Sequence, residues 1–389
     1  MFEELNDSLV KLMLDLSREK LNNPNDLKKK FEECEKNVFF ELCLEHELDG
    51  VVASHIIENN LSELPDYWLA AYEKEKEHLT FLRDKAAEIC KKMDENGIRM
   101  VVLKNGGIMS DMVEDAAACP MEDIDSLVKK SDFKKAHEIL LESGLTFKFR
   151  SEFEFEELEK SFRDGSTEYF IATPTGKEMW FELAWRAVAG RWIRLDLEPD
   201  CDTLIDASYC AKGTKVGILS PEDNLLQVCV HTAKHSYVRA PGLRLHLDVE
   251  RIVAHKKIDW TLFLEKVRAA HVKTSTYFSL YLAKMMFDTP VPDDVLSALR
   301  PSKGKEKRIL SLISKAGLLH LKARKFSKLE FLRFQTSLYD SINDMWFVLC
   351  PKGGRLHEIY GYKSPLKTPY YVVVRGLDLV GIRKKKGKK

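Results

Sequence analysis

Two aspartates, Asp123 and Asp125, flank Ile124 in a short stretch that has the composition of a β-strand. Side chains two residues apart on a strand point to the same face, so we expect the two carboxylates side by side, with Ile124 in the core. Close carboxylates repel each other unless a cation lies between them, and ligation by oxygen alone suits Mg²⁺. The pattern therefore predicts a catalytic magnesium site. The alternative is an Asp-x-Asp pair on an exposed edge strand that has no function.

A third carboxylate, Glu182, lies in the β-prone run 180–184, which could pair beside the first strand. Three carboxylates on neighbouring strands can hold one or two Mg²⁺ ions for in-line attack on a phosphorus atom. The catalytic and metal-binding residues predicted from the sequence are therefore Asp123, Asp125 and Glu182.

A glycine-containing segment, residues 104–107, precedes the two aspartates and follows an apolar run at 98–103. We expect this segment to be a loop that leads into a short helix over 108–113. Bare backbone N–H groups and a helix N-terminus bind phosphate well, and Lys104 adds a mobile positive charge. Lys104, Gly106 and Gly107 are therefore predicted to hold a nucleotide phosphate, although a glycine pair often only makes a turn.

His231 and His235 lie four residues apart on a predicted helix, with Lys234 between them in the chain. Three interpretations are open. The histidines could form a zinc pair, but no third ligand is evident and the acid of an HExxH motif is missing. They could bind nucleotide phosphates together with Lys234, which is the assignment made here, or they could be hydrogen-bonded core residues.

The arrangement of apolar residues predicts an α+β fold in four parts. Helical spacing covers residues 1–96, and short β-branched and aromatic runs over 97–219 predict a small mixed sheet, the nucleotide-binding and catalytic domain. The helical period returns over 220–368, and a terminal helix with a basic tail is expected over 369–389. Strands are expected at 98–103, 124–128, 145–149, 169–173 and 179–184.

Composition narrows the class of protein and its location. The chain has 389 residues, 44% of them apolar and 31% charged, and a formal net charge of zero. No apolar run is long enough to predict a transmembrane segment. The eight cysteines are scattered without a CxxC pair, which favours a reducing, cytoplasmic location. The basic end is expected to be a solvated surface, so nucleic acid is an unlikely partner, while weak contact of the tail with a membrane surface stays open.

Together these motifs resemble those of the polymerase-β-type nucleotidyltransferase superfamily, and in particular the bacterial nucleotidyltransferase family 5. The matching pieces are residues 101–107, 122–128 and 181–185, and a softer likeness extends over about 95–375. The resemblance implies transfer of a nucleoside monophosphate from a triphosphate such as ATP, with release of pyrophosphate. The implied acceptor is a hydroxyl or similar group on a small molecule or peptide, and the implied cofactor is Mg²⁺.

The chain departs from the family pattern at three places. Asn105 separates Lys104 from the glycine, Ala and Cys occupy positions 117–119 where an arginine is often found, and Ala184 replaces a histidine. Two alternatives therefore stay open. One is a phosphotransferase that uses the same site, and the other is a catalytically degenerate protein that binds a nucleotide or peptide. Arg186, Arg191 and Arg194 could bind phosphate or acceptor, or could be exposed loop charges.

Overall fold

The computed structural model describes residues 2–150, 156–187, 193–194, 196–236, 242–319, 326–349, 356, 360–362 and 364–379. Within these ranges the chain forms one mixed seven-stranded sheet and many helices, which confirms the α+β fold. No described helix is both long and apolar enough to cross a membrane. The predicted basic tail lies largely outside the described residues.

The N-terminal region is helical, as predicted. Its first helix begins where the Asp7 carboxylate accepts hydrogen bonds from the N–H groups of Leu9 and Val10, and the second begins at Pro24, which suits the first helical position. The longest helix buries one apolar stripe that includes Trp68, Leu79 and Ile89. The helices are α1 (Ser8–Ser17), α2 (Pro24–Glu33), α3 (Lys36–Glu45), α4 (Asp49–Glu58) and α5 (Asp66–Glu95).

The strands of the sheet are β1 (Val101–Leu103), β2 (Asp123–Leu127), β3 (Thr146–Phe147), β4 (Ser166–Ala172), β5 (Glu178–Ala184), β6 (Tyr209–Cys210) and β7 (Gly217–Ile218). They lie in the order β3-β4-β5-β2-β1-β7-β6 across the sheet. The central pairs are β1 with β2, which is antiparallel, and β2 with β5, which is parallel. Five strands fall where the sequence predicts them; β6 and β7 were not predicted, because two-residue strands are too short to show a period.

Short helices connect these strands, and further helices follow the sheet. The helix after the sheet begins where the Ser220 hydroxyl accepts a hydrogen bond from the Asp223 N–H, with Pro221 at the first helical position. The connecting helices are α6 (Lys104–Asp111), α7 (Phe133–Glu142), α8 (Leu158–Asp164) and α9 (Cys201–Asp206). The later helices are α10 (Pro221–His235), α11 (Arg244–His255), α12 (Trp260–Ala269), α13 (Lys273–Phe287), α14 (Asp293–Leu299), α15 (Lys303–Ala316), α16 (Lys328–Leu338), α17 (Ile342–Leu349) and α18 (Thr368–Leu379).

The two faces of the sheet have different surroundings. Ile124 and Phe181 point into the main core, which is continuous with the buried residues of the N-terminal and C-terminal helices. The opposite face is covered at one end by α9, where Leu127 and Leu204 belong to a small second apolar cluster. The other end of that face carries Asp125 and opens into a cleft. Alternation along β2 thus places the acids outside the main core.

Candidate active site

The three predicted carboxylates come together on the open face of the sheet. Parallel pairing of β2 with β5 sets Asp125 directly beside Glu182, and Asp123 lies two residues away on the same strand and face. Antiparallel pairing of β4 with β5 adds Glu168 directly opposite Glu182. The sheet therefore gathers four acidic side chains, of which the sequence identified three.

Lys104 is one of the cations that contact this group. Its Nζ donates a hydrogen bond to Oδ1 of Asp125 over 2.7 Å. The predicted loop at 104–107 is instead the first turn of α6, because Lys104 turns the chain within one residue by adopting a φ of 52°. A left-handed backbone is unfavourable for a residue with a side chain and recurs at functional sites. The residue before the helix, Leu103, makes no capping hydrogen bond with its side chain, and Lys104 and Asn105 of this first turn line the cleft.

Gly106 and Gly107 lie buried in this first turn. A Cβ atom on Gly107 would lie 2.5 Å from the carbonyl oxygen of Val102, and one on Gly106 would lie 2.8 Å from the Val102 side chain. Both glycines therefore allow α6 to pack closely against β1. Their predicted phosphate contact would have to use backbone N–H groups at the start of the helix.

The start of α6 is also held in place by hydrogen bonds from the Asn105 side chain. The Asn105 side chain donates hydrogen bonds to Oδ1 of Asp248 on α11, over 3.2 Å, and to the Pro120 carbonyl, over 3.3 Å. Burial raises the pKa of Asp248 to about 6, against the opposing charges of Arg251 and Arg244. Residue 105, which interrupts the family motif, is thus a structural link between α6 and α11.

Arg150 is a residue of the site that the sequence analysis missed. It follows β3, and its Nη2 donates to Oδ2 of Asp123 over 2.5 Å, while its Nε and backbone N–H donate to Glu168 over 3.2 and 2.8 Å. The guanidinium lies 5.5 Å from the centre of the Trp180 ring. The only local signal was the alternation of basic and aromatic residues in Phe147-Lys148-Phe149-Arg150.

The predicted residues of α10 face the carboxylates from the other side of the cleft. His231, Lys234 and His235 all line it, and the two imidazole rings are 4.8 Å apart between centroids. Burial lowers the pKa of His231 well below its usual value, and the nearby charge of Lys104 lowers it further. A neutral imidazole at this position can donate or accept a hydrogen bond.

The cleft has two adjoining compartments that share Lys104, Asp125, Glu182, His231 and Lys234. The smaller encloses about 580 Å³, part of it open to solvent, and has a partly apolar wall. The larger encloses about 1350 Å³ and is mainly polar. The further wall residues of the smaller are Leu103, Ser126, Ala184, Arg186, Ala187, Gln227 and Val230; those of the larger are Glu47, Asn105, Met121, Glu122, Asp123, Arg150, His235, Arg244 and Leu245.

A family model described as an uncharacterised nucleotidyltransferase matches residues 32–288, about two thirds of the chain. The chain belongs to this nucleotidyltransferase family. The finding confirms the resemblance drawn from the motifs, and the match runs from the end of α2 to the end of α13. No curated protein and no solved structure gives a significant match.

The electrostatics around the carboxylates favour a cation. Burial raises the pKa of the Asp125 carboxyl, and the adjacent Glu182 carboxyl raises this pKa as well. The Lys104 ammonium acts in the opposite direction and lowers it. Burial lowers the pKa of the Lys104 ammonium, but the charge of Asp125, together with the other two carboxylates, outweighs burial and raises it. Lys104 is therefore held in its charged form by the acids.

Magnesium suits the donor atoms of this candidate site, because all three predicted ligands are carboxylates on neighbouring strands. The positions of these carboxylates in the structure suit a metal ion less well. Among the described residues, no three His, Cys, Asp or Glu side chains are arranged to hold a metal ion. Lys104 pairs with Asp125 and Arg150 with Asp123, so two of the three donors are bound to protein cations.

The described arginines after β5 form ion pairs with acids outside the trio of carboxylates. Arg186 forms an ion pair with Glu198, with Nη2 to Oε2 at 2.7 Å, and both side chains are about nine-tenths buried. Arg194 pairs with Asp196 and Asp344. Arg191 lies outside the described residues. Of the two described arginines, only Arg186 lines the cleft, and it does so from within an ion pair.

Proposed function

We propose that this member of the family is a metal-dependent nucleotidyltransferase that moves a nucleoside monophosphate from a nucleoside triphosphate to an acceptor and releases pyrophosphate. The observation that carries the proposal is the register of β2 and β5. It sets Asp125 beside Glu182, with Asp123 on the same face, next to Lys104 and the first turn of α6. Acids next to a helix N-terminus supply a metal-holding group beside a phosphate-holding one.

The proposed roles follow from the residues that line the cleft and from the first turn of α6, which begins at its wall with Lys104. The β- and γ-phosphates lie at the first turn of α6, held by Lys104 and by the backbone of Gly106 and Gly107. His231, Lys234 and His235 bind the nucleotide from the side of α10, where the Lys234 ammonium and the N–H groups of the imidazoles can donate hydrogen bonds to phosphate oxygens. The base preference is left unassigned.

Asp123, Asp125 and Glu182 would hold one or two Mg²⁺ ions. When bound there, Mg²⁺ supplies neutralisation of the phosphate charge and a lower pKa for the attacking hydroxyl. Glu182 or Asp125 accepts the proton of the nucleophile, since both face the point that the two compartments share. The nucleophile then forms its bond to the α-phosphorus in line with the departing pyrophosphate.

The acceptor is proposed to be a small molecule or a peptide that carries a hydroxyl or similar group. The larger compartment suits the triphosphate, because Lys104, Arg150 and Arg244 line it. The smaller compartment, with its partly apolar wall, then receives the acceptor. The described cysteines form no disulfide, which supports the proposed location in the reducing cytoplasm.

The test is pyrophosphate release from ATP, GTP, CTP or UTP in the presence of Mg²⁺, with candidate acceptors present. The Asp123→Ala/Asp125→Ala double variant should lose release, and Asp202→Ala, at an exposed position on α9, should keep it. Equal release by the double variant would refute the mechanism. Separate labels on the α- and γ-phosphates distinguish a nucleotidyltransferase from a phosphotransferase, because only a phosphotransferase would transfer the γ-label to the acceptor.

A further inference from the structure

Arg150 approaches the trio from the side of the sheet opposite to Lys104. Lys104 comes from β1 and α6 and pairs with Asp125; Arg150 comes from the β3 end of the sheet and pairs with Asp123. Each carboxylate of the Asp-x-Asp pair therefore has its own protein cation. The Arg150 guanidinium would compete with a metal ion for Asp123, because the Oδ2 atom is less available to bind a metal while it accepts a hydrogen bond from a charged group.

Arg150 makes two hydrogen bonds to Glu168 but one to Asp123, and this difference permits its guanidinium to move. Its backbone N–H and its Nε are both held by the Glu168 carboxylate, and its guanidinium rests near the Trp180 ring. Only Nη2 bonds Asp123. Glu168 lies on β4, one strand beyond Glu182, and is not among the predicted metal ligands. The guanidinium can therefore release Asp123 while its Nε stays on Glu168.

The released guanidinium would lie at the wall of the larger compartment. Arg150 lines this compartment together with Lys104 and Arg244, and its side chain is 36% exposed, so its outer nitrogens have room to turn. A planar guanidinium binds two phosphate oxygens at once, and it keeps its charge at every relevant pH. Trp180 provides a flat support that limits how far the group can swing.

On the basis of the proposed function, we propose that Arg150 is a nucleotide-binding residue that occupies Asp123 until a divalent cation displaces it and then binds the triphosphate. Arg150 would thus compete with the metal in the free protein and cooperate with it in the nucleotide complex. A merely structural ion pair would not act in opposite directions on the two ligands.

The experiment measures two affinities of the full chain. Mn²⁺ binding without nucleotide is followed by electron paramagnetic resonance, and ATP binding in the presence of Ca²⁺ by calorimetry. Arg150→Gln should bind Mn²⁺ several-fold more tightly, because the competitor for Asp123 is lost, and ATP about tenfold more weakly. Arg150→Lys keeps the charge, and both of its affinities should lie nearer to those of the wild type.

Lys148→Gln is the matched control. Lys148 lies two residues earlier, and its ammonium is 5.9 Å from the centre of the same Trp180 ring and 5.0 Å from that of Phe170. It should change neither affinity more than about twofold, since one exposed charge at a distance contributes little. Thermal unfolding of each variant verifies that the chain is folded.

The possible results separate the two proposals. If the wild type binds both ligands and Arg150→Gln binds both equally well, or binds both more weakly, the role of Arg150 is refuted and the proposed function stands. If the wild type binds neither Mn²⁺ nor ATP, both proposals are refuted. Opposite changes in the two affinities support the role of Arg150.

Discussion

The Nζ atom of Lys104 lies 2.7 Å from Oδ1 of Asp125, which joins the start of α6 to the middle carboxylate of the trio. The contact is made possible by the left-handed backbone of Lys104, which lets the helix begin directly after β1. The same residue thus shapes the backbone that faces the phosphates and neutralises the carboxylate that would face the metal. Loss of its charge should therefore affect both the backbone that faces the phosphates and the Asp125 carboxylate.

Lys104→Met should lower the free energy of unfolding by about 1–3 kcal/mol, because Asp125 is then left beside Glu182 without its donor. Mg²⁺ should recover part of that loss, since it can replace the missing positive charge. The measurement is urea unfolding with and without Mg²⁺. The control is Lys129→Met, which removes a partly exposed pair with Asp206 and should lower the free energy of unfolding less than Lys104→Met does. A loss from Lys104→Met that equals the control and does not respond to Mg²⁺ would contradict this role.

Gly107→Ala should lower the free energy of unfolding by about 1–3 kcal/mol, because its Cβ would lie 2.5 Å from the carbonyl oxygen of Val102. The resulting shift of α6 should also weaken nucleotide binding. Gly304→Ala is the opposite case, since Gly304 lies in α15 with no atom near its Cβ position. There the substitution should stabilise the chain by about 0.5–1 kcal/mol, as alanine favours helix. Equal effects of the two substitutions in chemical denaturation would show that α6 is not closely packed.

Glu250 should make stability fall as pH rises. Burial and the neighbouring Glu19 carboxylate together raise its pKa from 4.5 to about 8, against the charge of Arg251. Between these two values the unfolded chain has released the proton and the folded chain has kept it, so the free energy of unfolding decreases with pH. The penalty is absent below about pH 4.5 and complete above about pH 8.

Glu250→Gln removes this penalty, so the variant should match the wild type near pH 4.5 and have the higher melting temperature at pH 8. The advantage should grow across that interval, and scanning calorimetry at several pH values measures it. Glu265→Gln, on the exposed side of α12, should show no such growth. A difference between Glu250→Gln and wild type that is constant with pH would show that Glu250 is not protonated in the folded chain.

The sequence predicted the elements that depend on local patterns. The α+β class, the long helix α5 and the strand with Asp123 and Asp125 follow from the periods of 3.6 and 2. The two-residue strands β6 and β7 have no period to detect. The start of α6 at Lys104 could not be predicted either, since a lysine with positive φ is exceptional.

The site was predicted only where its residues belong to motifs. Asp123, Asp125 and Glu182 share a face because of strand alternation and the pairing of β2 with β5. Arg150 reaches Asp123 across the register of β4 and β5, which no local pattern contains. The predicted phosphate-binding glycines have a packing role that appears only when β1 and α6 are placed together.

The most direct test is a crystal of the wild-type chain grown with Mn²⁺ and a nucleoside triphosphate analogue that cannot be cleaved between the α- and β-phosphates. We predict an anomalous Mn²⁺ peak bound by Asp123 and Asp125, with Glu182 facing it and the triphosphate at the first turn of α6. A nucleotide bound elsewhere, or a Mn²⁺ peak away from these carboxylates, would contradict the account.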